Sequence, residues 1–166
     1  MTLDLDEISD GEAFQDLVVA YFEELKEKTT NEIIDVTIKP SGIGVDGGRD
    51  ILVSIKISDG VTTFESRWLI QCKFHNRNIS TSEIADINIP TLLYSYKASG
   101  YLLVCKQRPT SKLTDLFERL EAECIFGNKY RVWSGEHLKK WVLTSKEEII
   151  ELYFCLLYTS PSPRDA

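Results

Sequence analysis

The sequence predicts an α/β fold, a mixed β-sheet flanked by helices in the order α-β-β-β-α-β-α-β-α. Three observations carry that expectation. A β-rich meander fills residues 33–74, where Ile51, Val53, Ile55 and Ile57 alternate with Leu52, Ser54 and Lys56 before a Ser58-Asp59-Gly60 turn. An unbroken apolar run, Tyr101-Leu102-Leu103-Val104-Cys105, has the length and character of a buried strand. Amphipathic helical patterns stand on both sides of that run, which is the alternation of a parallel half-sheet. At 166 residues with 43% hydrophobic content, the chain has the size of one domain and the means to bury one core.

The elements follow in order. Residues 10–28 read as a helix whose apolar face is Phe14, Leu17, Val18, Tyr21, Phe22 and Leu25, with Ser9 and Glu12 spaced as a capping box. Ile33–Ile38 reads as a short strand, and Pro40 to Gly44 as a loop continued by the turn Asp46-Gly47-Gly48. Asp50–Ile57 and Arg67–Phe74 are paired strands, the second apolar on both faces at its centre. Ser80 with Glu83 opens a helix running to about Tyr96, which Pro90 should kink or divide. Residues 110–124 form an amphipathic helix on Leu113, Leu116, Phe117 and Leu120. Tyr130–Trp133 is a short strand, Glu136–Val142 a helix, and Ser145 with Glu148 starts the last helix. Trp133 and Trp141 are expected to be packing residues.

Charge and cysteine content narrow the function. The net charge is −7, with 11 acidic and 2 basic side chains in residues 1–38 but 4 acidic and 6 basic in residues 39–78. That balance opposes indiscriminate nucleic-acid binding over the whole surface and leaves room for a locally basic cleft. No apolar run reaches the ~18 residues of a membrane span. The acidic start lacks the pattern of a signal peptide, and Cys72, Cys105, Cys124 and Cys155 have no framework spacing. Both point to reduced thiols in the cytoplasm. Residues 155–166 resemble the translated read-through of a transposase adapter used in sequencing libraries. They are set aside, so the domain is taken as 1–154, with the natural gene expected to continue past Phe154.

One constellation carries chemistry. Asp50 stands at the start of its strand after the Gly-rich turn, and Gln71 and Lys73 share one face of the next strand while Cys72 points the other way. Pairing of the two strands brings a carboxylate, an amide oxygen and an ammonium to one sheet edge. Asp50, the Gln71 side-chain oxygen and the Cys72 backbone carbonyl suit a hard cation such as Mg²⁺, and Lys73 would orient a water or stabilise charge on a phosphate. Taken alone, Asp46-Gly47-Gly48 reads equally as an ordinary turn and Lys73 as a snorkelling strand lysine. Cys72 and His75 have C-x-x-H spacing but no second ligand pair, His137 reads as a surface residue, and no P-loop pattern is present.

Gly44-Val45-Asp46-Gly47-Gly48-Arg49-Asp50-Ile51, followed by Trp68-Leu69-Ile70-Gln71-Cys72-Lys73-Phe74, resembles the Mrr-like branch of the PD-(D/E)xK restriction-endonuclease superfamily, in which Q-x-K replaces E-x-K. The resemblance covers most of residues 10–143. It implies a restriction-endonuclease-like core, hydrolysis of DNA phosphodiesters as a hydrolase of anti-phage defence with Mg²⁺ or Mn²⁺, and Asp50, Gln71 and Lys73 as the site. Asp46, Glu12 and Gln15 are supporting candidates, and Arg49, His75 and Arg77 are candidate DNA contacts. The family's first helix often carries Glu where this chain has Gln15. With Gln71 also neutral, the expected metal affinity is modest, and a non-catalytic DNA-binding or assembly module is the rival reading. A junction-resolving or repair nuclease shares the same chemistry. DNA, a sensor, ATPase or recognition domain beyond the fragment, and a second copy of the chain are the expected partners, with no membrane.

Overall fold

The computed structural model describes residues 3–28, 30–43, 49–85, 87–124 and 126–154, with the side chains of 41–43, 49 and 50 outside that description. One five-stranded sheet organises the chain, in the order β1-β2-β3-β4-β5. Strands β1 (Ile33–Ile43), β2 (Arg49–Ser58) and β3 (Thr63–Lys73) are antiparallel neighbours. Strands β4 (Gly100–Cys105) and β5 (Lys129–Trp133) continue the sheet parallel to β3. The expected mixed sheet is therefore present, and β3 is the strand at which its two halves meet.

Helix α1 (Gly11–Glu27) lies on one face of the sheet. Its N-cap is Asp10 rather than Ser9: the Asp10 carboxylate accepts the Ala13 N–H at 2.8 Å, so the helix begins one residue later than the capping-box pattern suggested. Phe14, Leu17, Val18 and Phe22 are buried against Val36, Ile51, Val53 and Ile70 of the sheet, with Ile149, Ile150 and Phe154 from the C-terminal end of the domain completing this core. A second core fills the opposite face. There Leu69, Tyr101, Leu103 and Cys105 meet α2 (Ile89–Tyr96) and α3 (Ser111–Glu123) through Leu93, Leu113 and Phe117. Burying β4 on both faces explains its uninterrupted apolar sequence.

Several boundaries differ from the sequence expectation for identifiable reasons. Strand β1 runs on past Pro40 to Ile43, where a loop was expected. It is an edge strand, so the missing proline N–H need not serve the ladder, and a register shift between Pro40 and Ile43 absorbs the irregularity. Pro90 does divide the expected 80–96 helix. A short 3₁₀ turn at Thr81–Ile84 precedes α2, whose N-cap Asn88 accepts the Thr91 N–H at 3.1 Å, with Pro90 in the first turn where its missing donor costs nothing. Helix α4 (Gly135–His137), capped by Ser134, passes into a π turn over Leu138–Val142. Leu138 and Val142 are buried there, whereas Trp141 is 74% exposed rather than packed. Trp133 does pack, stacked on Phe22 at 6.2 Å with His137 on it at 5.9 Å. Ser145 cannot cap α5 (Glu147–Tyr153), because its φ of 69° places it in a left-handed turn and Lys146 stands at the cap.

Two glycines are required by close approach. A Cβ at Gly100 would lie 2.6 Å from the Trp68 ring, which crosses β4 at that point. A Cβ at Gly135 would lie 2.0 Å from the Lys106 carbonyl oxygen, a backbone atom that no rotamer change can move. Helix α5 is tied to α1 by charge: Glu24, 6% exposed, is held by Lys28 at 2.8 Å and by Lys146 at 3.4 Å. Burial alone would raise the Glu24 carboxyl, but the Lys28 hydrogen bond and the Lys146 charge outweigh it and hold the group below its ordinary value.

Two predictions follow from the packing. Gly135→Ala should destabilise the domain by about 2–3 kcal/mol in chemical denaturation, since overpacking against backbone cannot relax locally. A carboxyl depressed in the fold stabilises above its unfolded value, and that contribution is lost as pH falls through the folded value. Glu24→Gln should therefore flatten the acid limb of the melting-temperature profile below the ordinary glutamate value of 4.5.

Candidate active site

The β2–β3 ladder sets the site. It places Asp50 directly opposite Gln71 and Arg49 opposite Cys72, in ten consecutive pairs closed by the Asp59–Thr62 turn. The turn holds because the Asp59 carboxylate accepts the Val61 and Thr62 N–H groups at 2.9 Å each. Strand alternation then fixes faces. Ile70 packs in the α1-side core with Cys72 beside it, while Leu69 belongs to the α2/α3 side, as do Gln71 and Lys73 by the same alternation. Cys72 is thus a packing residue whose thiol faces away from Lys73.

Gln71 and Lys73 are both buried, at 3% and 8% exposure. The Gln71 side-chain oxygen accepts a hydrogen bond from the Tyr101 hydroxyl on the adjacent strand. Past Lys73 the chain meets the first turn of α1: the Phe14 and Phe74 rings lie 5.1 Å apart, and Gly11 stands over Phe74. This brings α1, β2 and β3 to the same end of the sheet. Gln15 is 6% exposed on that helix, and among the described residues its amide oxygen meets no hydrogen-bond donor. Glu12, one turn earlier, is exposed. Asp46 lies outside the described residues, and Arg49 and Asp50 are placed here by backbone register alone.

The candidate DNA contacts after β3 are engaged within the protein. Arg77 pairs with Glu83 at 2.8 Å, and His75 lies 3.7 Å from the same carboxylate. Sequence reasoning overlooked a different cation. Lys106 follows β4 directly, is 9% exposed, and has its ammonium 2.6 Å from Asn76 Oδ1, 2.6 Å from Asp6 Oδ1 and 4.7 Å from the Phe74 ring centre. Its backbone N–H donates to the Lys73 carbonyl at 3.3 Å, so β3 and β4 end together, Lys106 turning to the Phe74 side and Lys73 sharing the face of Gln71. A pocket of about 170 Å³, bordered by Asp6, Lys106, Arg108, Glu136 and Lys139, opens beside it. The only signal in the sequence was a lysine placed immediately after a buried run. Tyr101 was read only as part of that run, because a hydrogen bond to a neighbouring strand leaves no trace in periodicity.

On the same face, over β1 and β2, a groove of about 250 Å³ is bordered by Thr37, Lys39, Leu52, Ser54, Glu65 and Arg67. Burial pushes the thiol of Cys105 up to about 12, so this residue, paired with Lys73 across β3 and β4, is a neutral packing thiol near neutral pH. The remaining donors at the site are oxygens, and among the described residues no three His, Cys, Asp or Glu side chains converge. A carboxylate position and an amide oxygen paired across β2 and β3 offer the oxygen donors that a hard, partly hydrated cation takes.

The comparisons agree with this architecture. No curated protein matches the sequence significantly. Among solved structures, the DNA modification-dependent restriction endonuclease AspBHI superposes with a TM-score of 0.53 at 11% identity, over 96% of this chain and 43% of that one. The likeness is one of fold, and the chain spans less than half the length of that protein. The family model of the Mrr catalytic domain, described as a restriction endonuclease, matches residues 5–142. With both motif strands and all five strands of the sheet inside the match, the chain belongs to the Mrr-type restriction-endonuclease family.

Proposed function

We propose that the domain is a divalent-metal-dependent DNA endonuclease, acting in type IV-like restriction as the cleavage module of a larger protein. The observation that carries this reading is the register pair Asp50–Gln71 with Lys73 two residues on, Gln71 and Lys73 both being buried. Asp50, the Gln71 side-chain oxygen and the Cys72 carbonyl would hold Mg²⁺ or Mn²⁺, with Glu12 and Gln15 of α1 as supporting candidates. Such an ion, when bound, acidifies water and neutralises charge on a phosphodiester.

The protein's own contribution is electrostatic. The Lys73 ammonium is kept in a largely dehydrated setting, where its charge acts on a developing oxyanion more strongly than it would in water. β3 and β4 end together at Lys73 and Lys106, and the carboxyl ends of parallel strands are where α/β sheets commonly bind their ligands. The groove over β1 and β2 would carry the DNA backbone on toward Lys39 and Arg67. Residues 1–154 would serve as the effector domain, with recognition supplied by a separate module.

A second reading is favoured by one specific feature. Amides stand at Gln15 and Gln71 where carboxylates would strengthen a metal site, and this suits a nuclease fold retained for binding or assembly. Supercoiled plasmid separates the two. The full chain should nick or linearise it with Mg²⁺ or Mn²⁺ and not with EDTA. Asp50→Ala and Lys73→Ala should each lower the rate by about 10²-fold or more while melting within a few degrees of the parent. Intact plasmid together with no calorimetric Mn²⁺ binding would establish the binding-module reading.

A further inference from the structure

We propose that the pocket beside Lys106 receives a backbone phosphate of DNA, and that the Asp6 carboxylate holds its place until DNA arrives. The inference rests on the nuclease reading above and adds to it a phosphate site outside the Asp50–Gln71–Lys73 constellation. It starts from a lysine that the fold buries. A buried ammonium needs an anion or strong acceptors around it, because stripping its water is costly. Lys106 has Asn76 Oδ1 and Asp6 Oδ1, each 2.6 Å away, and the face of the Phe74 ring at 4.7 Å.

The pair with Asp6 is lopsided. The Lys106 side chain is 7% exposed and that of Asp6 is 75% exposed. Asp6 stands on a 3₁₀ turn, Leu5–Glu7, which Leu5 and Ile8 fix to the first core. Its carboxylate can therefore leave by a side-chain rotation with the backbone in place. Returned to water, the carboxylate loses little. The ammonium left behind loses much, since it stays enclosed. Lys106 thus requires an anion but holds its present one weakly, and that is the condition for exchange.

The surroundings suit a phosphate. The pocket of about 170 Å³ is bordered by the acids Asp4, Asp6 and Glu136 and by the cations Lys106, Arg108 and Lys139. Two of the acids are committed elsewhere. Asp4 caps the 3₁₀ turn by accepting the Asp6 N–H at 2.9 Å, and Glu136 holds Lys139 at 2.8 Å and Lys140 at 3.4 Å. Once Asp6 turns out, Lys106 and the exposed Arg108 border a place for a singly charged phosphodiester. The location fits as well. Lys106 follows the Lys73–Cys105 pair by one residue and donates its N–H to the Lys73 carbonyl. A DNA strand cleaved beside Lys73 would carry a neighbouring phosphate across the end of the sheet to Lys106.

Fluorescence anisotropy with a fluorescein-labelled duplex in EDTA tests this on the full chain, using wild type, Asp6→Asn, Asp4→Asn, Lys106→Met and the double variant Asp6→Asn/Lys106→Met. Asp6→Asn should bind the duplex at least about 3-fold more tightly, since the ion pair no longer competes. Its affinity should also fall more steeply with salt, by up to about one unit of logarithmic slope. Asp4→Asn makes the same change of net charge on the same turn and keeps the cap, because asparagine caps as well as aspartate. It should stay within about 2-fold of wild type. Lys106→Met keeps an unbranched chain over Phe74 and removes the charge. It should weaken binding about 10-fold and abolish the gain from Asp6→Asn. Should Lys106→Met fold poorly, Asp6→Asn against Asp4→Asn still decides the matter.

Equal gains in Asp6→Asn and Asp4→Asn, or a gain from Asp6→Asn that persists without Lys106, would reduce the effect to general repulsion and overturn the site while the nuclease reading stands. Stronger thermal stabilisation of Asp6→Asn by inorganic phosphate, with no gain in duplex affinity, would overturn the assignment to DNA. No duplex binding by any of the proteins would overturn the site too, and with plasmid left intact in Mn²⁺ it would overturn the nuclease reading as well.

Discussion

A slip of one residue between β2 and β3 would set Arg49 or Ile51, rather than Asp50, opposite Gln71. The same slip would turn Ile51 and Val53, both wholly buried, away from α1. The pairing of Asp50 with Gln71 and the burial of the core are therefore one constraint. The hydrophobic stripe that packs α1 on the sheet also guarantees which carboxylate meets which amide. The Asp59 turn anchors this register at the far end of the hairpin, and the site lies at the open end, where the strands pass into α1 on one side and β4 on the other.

Strand β3 belongs to both cores. Its even-numbered residues face α1 and its odd-numbered residues face α2 and α3, so each motif residue is flanked by packing residues on the same strand. This arrangement explains how a lysine and a glutamine can be buried near a sheet edge without loosening it. Leu69 precedes them on their own face, Ile70 is locked on the other, and β4 covers the strand along its whole parallel register. Lys106, bridged to Asp6 and Asn76 above the Phe74 ring, closes the same end from the neighbouring strand.

Much of this was legible in the sequence, because periodicity reports burial. The alternation of Ile51 to Ile57, the unbroken run at 101–105 and the stripe on α3 each specify one face or two. The order of elements follows from them, and alternation along β3 puts Gln71 and Lys73 on one face. What escaped depends on partners that periodicity does not encode. Pro40 continues a strand because β1 is at an edge, which only the sheet order reveals. Asp10 caps α1 in place of Ser9 because the choice between adjacent capping residues is made by backbone angles. Trp141 is exposed on a π turn that no spacing rule anticipates, and Tyr101 and Lys106 take their importance from contacts across strands.

The mixed direction of the sheet has a consequence for assembly in time. Asp50 and Gln71 belong to a hairpin joined by a tight turn, so their pairing is a local event available as soon as Lys73 has left the ribosome. Tyr101 reaches Gln71 only after a crossover through α2, and its supports, Phe117 and Tyr130, arrive later still from α3 and β5. The nascent chain therefore sets Asp50 and Gln71 side by side well before the strand that covers Gln71 is in place. The strand pair that carries Gln71 and Lys73 is thus made locally and enclosed late, when the parallel half of the sheet arrives to bury both residues.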